Sequence, residues 1–255
     1  MRTHLSLFSA AAVLILACSS PATPAATSTS TSTSTTTTTT TTTNSSASRP
    51  AMYNRFQSAV TITVDGTNVV LKSNAVPDHK SPYWGTGNAL YEAPHAGMVQ
   101  NPNLIVSQSL TLRVPASPAI ASASSDTPLG PIGMAINGVP LFNQYAAGRS
   151  PLNGEIISFD RYNGHPQQSG QYHYHFEPAW LTSVNGPSSL IGVLLDGFPV
   201  YGPKDPDGST PSNLDSCNGH THATADVPAG IYHYHATTAV PYLSGCYKGT
   251  SGSIG

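Results

Sequence analysis

Gly170-Gln171-Tyr172-His173-Tyr174-His175 is the most informative segment of the sequence, because the chain repeats its pattern as Gly230-Ile231-Tyr232-His233-Tyr234-His235. Tyr and His alternate in both copies, which is typical of a β-strand whose successive side chains point to opposite faces. Each strand would therefore present two imidazoles on one face and two phenols on the other. The sequence predicts two equivalent strands with this division of side chains.

The segments upstream of the two copies also match each other, in the same order. Gly133 to Phe142 aligns with Gly192 to Tyr201, and each reads as a strand, an Asn-Gly or Asp-Gly dipeptide and a second strand. Such dipeptides favour two-residue type I′ turns. Closer to the hexapeptides, Phe159 to His165 aligns with Leu214 to His220. Three matched blocks in one order predict an internal duplication.

The remaining patterns after Ala51 are also those of strands. Val60 to Val64 alternates apolar residues with Thr, and Leu104 to Val114 contains a longer strand-like set. No stretch carries a sustained helical period. The sequence predicts one all-β domain of short strands and hairpins over residues 51–255, with repeats at about 131–181 and 190–243. Two such units often pack about a pseudo-two-fold axis.

The N-terminal segment has the pattern of an export signal. Leu5 to Ala17 is apolar but too short to span a membrane. Ile15-Leu16-Ala17-Cys18 resembles the lipobox of bacterial lipoproteins, which predicts a signal peptide over residues 1–17 and lipidation of Cys18. Residues 18–50, rich in Ser and Thr, are expected to form a disordered tether. The predicted location is the bacterial cell envelope, with membrane contact through the lipid anchor only. The alternative is ordinary signal cleavage and secretion.

The charge balance excludes several function classes. Only 9% of the residues are charged, the net charge is -2, and the ten His equal the ten Lys plus Arg. No basic surface is available to bind nucleic acid or anionic lipid. Export predicts that Cys217 and Cys246 form a disulfide in an oxidising compartment, with two buried free thiols as the alternative.

The motifs together resemble the YHYH proteins, a family named for its tetrapeptide. The doubled Tyr-His-Tyr-His, Asp196 to Pro203 and Leu214 to His220 carry the likeness, with support from Pro77 to Trp84 and Gly245-Cys246-Tyr247. The resemblance covers roughly Met52 to Lys248. It implies a domain boundary and a probable site, but the family has no established activity and so implies no function.

The histidines have the spacing of metal ligands. Two imidazoles on one strand face can bind one ion, and a neighbouring loop can supply the third. In each repeat an Asp lies five residues before the loop His, as a further ligand, an orienting group or a general base. The candidate metal ligands are Asp160, His165, His173, His175, Asp215, His220, His233 and His235. This set, without thiolates, favours Zn²⁺ or Cu²⁺.

Several interpretations of the histidines are open besides a catalytic metal site. Tyr and His could join the two repeats by hydrogen bonds, which would make the protein a non-catalytic surface interaction module. The metal readings are a metalloenzyme or a metal-delivery lipoprotein, and metal-free acid–base catalysis is a further option. His222 is an extra imidazole. His79 is expected to form hydrogen bonds in a loop, with an additional metal ligand as the alternative. Asp205 to Ser209 is interpreted as a polar turn. No substrate or protein partner can be named.

Overall fold

The computed structural model describes residues 47–255, and these lie within one compact unit. The predicted signal peptide, Cys18 and the tether as far as residue 46 lie outside the described residues. Among residues 47–255 no helix is both long enough and apolar enough to cross a membrane.

The described chain is built from fourteen strands and one short α-helix, which confirms the all-β prediction. The strands are β1 (Thr61–Asp65), β2 (Asn68–Ser73), β3 (Leu110–Pro115), β4 (Ile120–Asp126), β5 (Pro131–Ala135), β6 (Pro140–Phe142), β7 (Gly164–Pro166), β8 (Tyr172–Tyr174), β9 (Leu190–Leu194), β10 (Pro199–Tyr201), β11 (Gly219–His222), β12 (Ile231–His235), β13 (Cys246–Gly249) and β14 (Ser253–Ile254). The helix α1 is Ala179–Asn185, and 3₁₀ turns occupy Ala51–Arg55, Pro82–Trp84, Ala147–Arg149, Leu152–Gly154 and Ile156–Ser158.

The two predicted repeats form the two halves of one eight-stranded sheet. Its strand order is β11-β12-β10-β9-β5-β6-β8-β7. Outward from the centre, the order β5-β6-β8-β7 of the first repeat corresponds to the order β9-β10-β12-β11 of the second. At the centre β5 and β9 run antiparallel, with Met134 opposite Val193. These two residues occupy equivalent positions in the aligned repeats. The register therefore defines a pseudo-two-fold axis between them and places the two histidine-bearing strand pairs at opposite ends of the sheet.

Glycine is required where the two halves meet. A Cβ atom on Gly133 would collide with the backbone carbonyl of Val193, and one on Gly192 with that of Met134. The strands β5 and β9 can therefore approach only because both equivalent positions lack a side chain.

The predicted type I′ turns are wrong. In the two hairpins only Gly138 and Gly197 have a positive φ, of 87° and 84°. Gly138 N–H donates to Ala135 O and Ala135 N–H donates to Val139 O, both at 2.8 Å, which makes a three-residue loop closed by a glycine bulge. The residue before each glycine keeps a negative φ and directs its side chain inward, toward a buried tyrosine.

Two smaller sheets cover the repeats. One has the order β1-β2-β3-β14, and the other pairs β13 with β4. The strand-like set from Leu104 to Val114 is only partly a strand, since β3 begins at Leu110. Leu104 and Val106 are half exposed, and Val106 N–H donates to Gly170 O in a loop. An apolar pattern there reflects contact with the loop before β8 instead of pairing in a sheet.

The predicted disulfide is confirmed. Cys217 and Cys246 are joined, with their Cα atoms 4.8 Å apart and a sequence separation of 29. The bond connects the loop before β11 to β13. On the chain-entropy account, closing a loop of this length stabilises the fold by about 3–4 kcal/mol.

Candidate metal centres

The two Tyr-His-Tyr-His strands present their side chains as the alternation predicts. β8 pairs with β7 so that His173 lies opposite His165, and β12 pairs with β11 so that His233 lies opposite His220. The loop histidine of the sequence analysis is therefore held on an adjacent antiparallel strand. This pairing brings a third imidazole to the same face as the two histidines of the motif.

The first cluster, defined as His165, His173 and His175, is buried and closely packed. The Nε2 atom of His173 lies 3.1 Å from Nε2 of His165 and 3.0 Å from Nε2 of His175. All three rings thus direct the same nitrogen toward one point. Three imidazoles converging in this way could hold a metal ion.

Hydrogen bonds at the opposite nitrogen fix the tautomer of each ring. His173 Nδ1 faces Gln171 O at 3.1 Å and His175 Nδ1 faces Asn143 O at 2.6 Å, so both nitrogens must carry the proton. His165 Nδ1 lies 2.8 Å from Ser158 Oγ. That hydroxyl donates to the Glu155 carbonyl, so it accepts from His165.

These rings are uncharged in the folded protein. Burial lowers the pKa of His165 to about 3 and that of His175 to about 4. The pKa of His173 also lies well below its ordinary value, chiefly through burial. A neutral ring with its proton on Nδ1 has a lone pair on Nε2. Three lone pairs therefore converge with no proton between them, an arrangement that a cation would stabilise.

The second cluster contains five residues: Asp205, His220, His222, His233 and His235. Asp205 Oδ1 lies 2.9 Å from His222 Nε2, 3.3 Å from His235 Nε2 and 3.4 Å from His220 Nε2. The Nε2 atoms of His220 and His235 are 3.1 Å apart. The group matches the first cluster with one imidazole and one carboxylate added.

His233 and His235 take the same tautomer as their counterparts in the first cluster. His235 Nδ1 donates to Gly202 O at 2.7 Å and His233 Nδ1 to Ile231 O at 2.9 Å. Burial lowers the pKa of His233 to about 3, and it also lowers the pKa of His235. The Nε2 atom of His233 is buried and has no hydrogen-bond partner. An unpartnered acceptor among other ligand atoms is suited to binding a cation.

Asp160 and Asp215 do not reach the imidazoles. Asp160 accepts a hydrogen bond of 2.7 Å from the Tyr172 hydroxyl, and Asp215 accepts one of 2.9 Å from the Tyr232 hydroxyl. The two carboxylates thus lie on the phenol face of their strands. The metal groups formed by the described residues include neither. Their predicted contact with the ligands is not made, since buried phenols need acceptors on that face.

Two carboxylates that lie near the imidazoles were not predicted from the sequence as site residues. Asp205, interpreted as part of a polar turn, is drawn over the second cluster by that turn, in which Asp205 N–H donates to Ser209 O. Glu155 Oε2 lies 3.6 Å from His165 Nε2 beside the first cluster. The Asp-Pro-Asp-Gly-Ser motif could have indicated Asp205 as a site residue, whereas no motif in the sequence marks Glu155.

His79, which lies outside the repeats, serves the phenol face together with residues of the hairpin loops. His79 is buried, and its Nε2 lies 2.8 Å from the Tyr174 hydroxyl. Asn137, from the hairpin loop, donates to the same hydroxyl at 3.3 Å. In the second repeat Tyr234 donates to Asp196, the residue equivalent to Asn137. His79 is therefore a hydrogen-bonding residue, as expected, and lies outside both clusters.

The two clusters have very different surroundings. The first borders a cavity of about 710 Å³ that includes His165, His173 and His175 in its lining. The second borders a cavity of about 140 Å³, reached by His222, His233 and His235. Only the first therefore adjoins a volume large enough for an organic ligand.

Fold and site together define a class: β-sheet proteins of two similar halves, each with a histidine cluster on its Tyr-His-Tyr-His strand. The sequence model of the YHYH protein family matches residues 111–213 and 207–249, so the two matches span more than half of the 255-residue chain. The chain therefore belongs to the YHYH family. No curated protein and no solved structure matches it significantly.

Proposed function

We propose that this is an exported, lipid-anchored metalloprotein that binds a divalent transition metal ion at each histidine cluster. The observation that carries the proposal is the set of Nδ1 hydrogen bonds. They leave the Nε2 lone pairs of the first cluster directed at one another, as at His173 and His175, and they set the same tautomer for His233 and His235. A cation is the natural partner for such a group.

The competing interpretation is that the histidines have only a structural role and stabilise the fold through hydrogen bonds. In the first cluster it would require a proton between facing Nε2 atoms, and hence an imidazolium, in a buried site. Burial opposes that charge, because it lowers the pKa of His165 to about 3. His233 Nε2 would still have no partner. The same observations therefore disfavour a purely structural role.

The donor set favours Zn²⁺ or Cu²⁺. Both clusters offer imidazole, only the second adds a carboxylate, and the pairing of Cys217 with Cys246 leaves no thiolate there. Imidazole suits Zn²⁺ and Cu²⁺ better than Ca²⁺ or Mg²⁺, which prefer oxygen ligands. Three imidazoles with an open position are a common catalytic zinc arrangement.

Metal titration tests the proposal. The protein would be produced without a histidine tag, stripped with a chelator, and titrated with Zn²⁺ and with Cu²⁺ under calorimetric detection. We expect uptake of one ion per cluster, with elemental analysis of the dialysed protein giving the same ratio. If neither ion is taken up, both metal sites are refuted and the interaction module becomes the better interpretation.

Lipid anchoring rests on the sequence of the N-terminal segment, Leu5 to Cys18. The Cys18→Ser variant should move from the membrane fraction to the soluble fraction of a bacterial host, because it cannot receive the acyl chains. Immunoblotting of the two fractions gives the result. Equal partitioning of the variant and the unchanged protein would contradict the anchor and favour the secreted alternative.

A further inference from the structure

The two clusters differ in how they are closed. Over the second cluster, Asp205 places one carboxylate oxygen 2.9–3.4 Å from three imidazole nitrogens. The first cluster has no such residue among its convergent atoms, and its three rings line the cavity of about 710 Å³. Structural metal sites are closed by protein ligands, whereas catalytic sites leave one position open. The asymmetry assigns different tasks to the two repeats.

A single carboxylate stands at the open side of the first cluster. Glu155 Oε2 lies 3.6 Å from His165 Nε2 and is too far from the other rings to count as a ligand. Its backbone carbonyl accepts a hydrogen bond of 2.7 Å from Ser158 Oγ, the same hydroxyl that holds His165. One serine thus connects the His165 imidazole to the backbone of Glu155.

The lining of the cavity indicates what it would accept. Its polar side chains are mostly amides, from Gln100, Asn101, Asn103, Gln167 and Gln168. Among the described residues that line it there is no Lys or Arg, so apart from a bound metal ion nothing would neutralise a phosphate, sulfate or carboxylate group. Glu155 is the only carboxylate in the lining, whereas glycoside hydrolysis ordinarily uses two. The cavity fits an uncharged substrate rich in hydrogen-bonding groups.

We infer that the first cluster is a hydrolytic centre for ester or amide bonds in an uncharged polar substrate, with Glu155 as its general base. The inference rests on the proposed function, since the three imidazoles must first hold a metal ion. The ion would act as a Lewis acid toward the acyl oxygen. Glu155 is the group within reach of a water molecule at the open side of the rings.

The reaction balances without any oxidant or reductant. Glu155 accepts one proton from water while the water oxygen forms a bond to the acyl carbon. The bond from that carbon to the leaving oxygen or nitrogen then breaks. Glu155 returns the proton to the leaving group, so that the products are a carboxylic acid and an alcohol or amine.

The test uses the zinc-loaded full chain and two neutral chromogenic substrates, p-nitrophenyl acetate and p-nitroacetanilide. We expect hydrolysis of at least the ester, and no action on p-nitrophenyl phosphate. Glu155→Gln should lower kcat by roughly 10²–10⁴-fold with little change in KM, because it removes a proton acceptor used only in the reaction. Zinc uptake at the first cluster should remain. The matched control is Glu92→Gln, an acid-to-amide change at a residue that pairs with Arg161.

The outcomes distinguish failure of the hydrolytic assignment from failure of the proposed metal binding. Zinc uptake without hydrolysis of either neutral substrate would overturn the hydrolytic assignment and leave the metal sites standing. An unchanged kcat in Glu155→Gln would also overturn it. Failure of the chain to bind zinc would overturn both. Hydrolysis that depends on Glu155, zinc and an uncharged substrate supports the assignment.

Discussion

Replacement of His173 by Ala should abolish metal binding at the first cluster and leave the second cluster loaded. His173 Nε2 is central, lying 3.1 Å from His165 Nε2 and 3.0 Å from His175 Nε2. Structural zinc sites with four ligands bind with about 10–16 kcal/mol, so one ligand is worth about 3 kcal/mol. The affinity of the first cluster should therefore fall roughly 100-fold or more.

His233→Ala is the equivalent change in the second repeat, where its Nε2 atom is buried and unpartnered. Elemental analysis of each variant should give about half the metal of the unchanged protein. The matched control is His95→Ala, since His95 lies outside both clusters. Circular dichroism of the metal-free variants separates loss of ligand from loss of fold. A folded His173→Ala variant with its full metal content would refute the assignment of the first cluster.

The metal-free protein should lose stability steeply as the pH falls from 7 to 5. In the unfolded chain each histidine takes up a proton near pH 6.5, whereas in the folded protein burial lowers the pKa of His165 and His233 to about 3 and of His175 to about 4. The unfolded state thus binds more protons between pH 6.5 and about 3–4, so the free energy of unfolding falls as the pH is lowered through this window. At pH 5 each of the three contributes a loss of about 2 kcal/mol.

Urea unfolding followed by tyrosine fluorescence at several pH values measures this effect. Above its Kd, Zn²⁺ should raise the free energy of unfolding with the logarithm of its concentration, because it binds only the folded clusters. The His165→Asn variant should show a shallower pH dependence, since it removes one of the buried imidazoles. A metal-free protein as stable at pH 5 as at pH 7 would contradict the burial of neutral histidines.

The alternation in Tyr172 to His175 was sufficient to predict much of this architecture. A period of two is a local property of an extended chain, so it specifies which side chains share a face before any partner strand is known. The match between His165 and His220 likewise predicted a third imidazole in each repeat. The strand register places that imidazole beside the other two, because β7 pairs with β8 and β11 with β12 in equivalent ways.

The turn and carboxylate predictions show the limit of local reasoning. Asn137 and Asp196 were expected to take positive φ values, but their side chains are engaged with Tyr174 and Tyr234. Asp160 was expected to join the imidazoles of its own repeat and instead accepts from Tyr172 on the opposite face. A spacing in sequence does not say which face of a strand a loop residue approaches.

The sequence alone was enough to predict two equivalent strands with imidazoles on one face and an all-β framework, and it favoured a disulfide between Cys217 and Cys246. The closure of one cluster by Asp205, and the position of Glu155 beside the open side of the other, follow from the tertiary structure. The two kinds of feature differ in how far apart along the chain the interacting residues lie. Alternation acts between neighbouring residues, whereas closure of a site depends on loops that pack against it from distant parts of the chain.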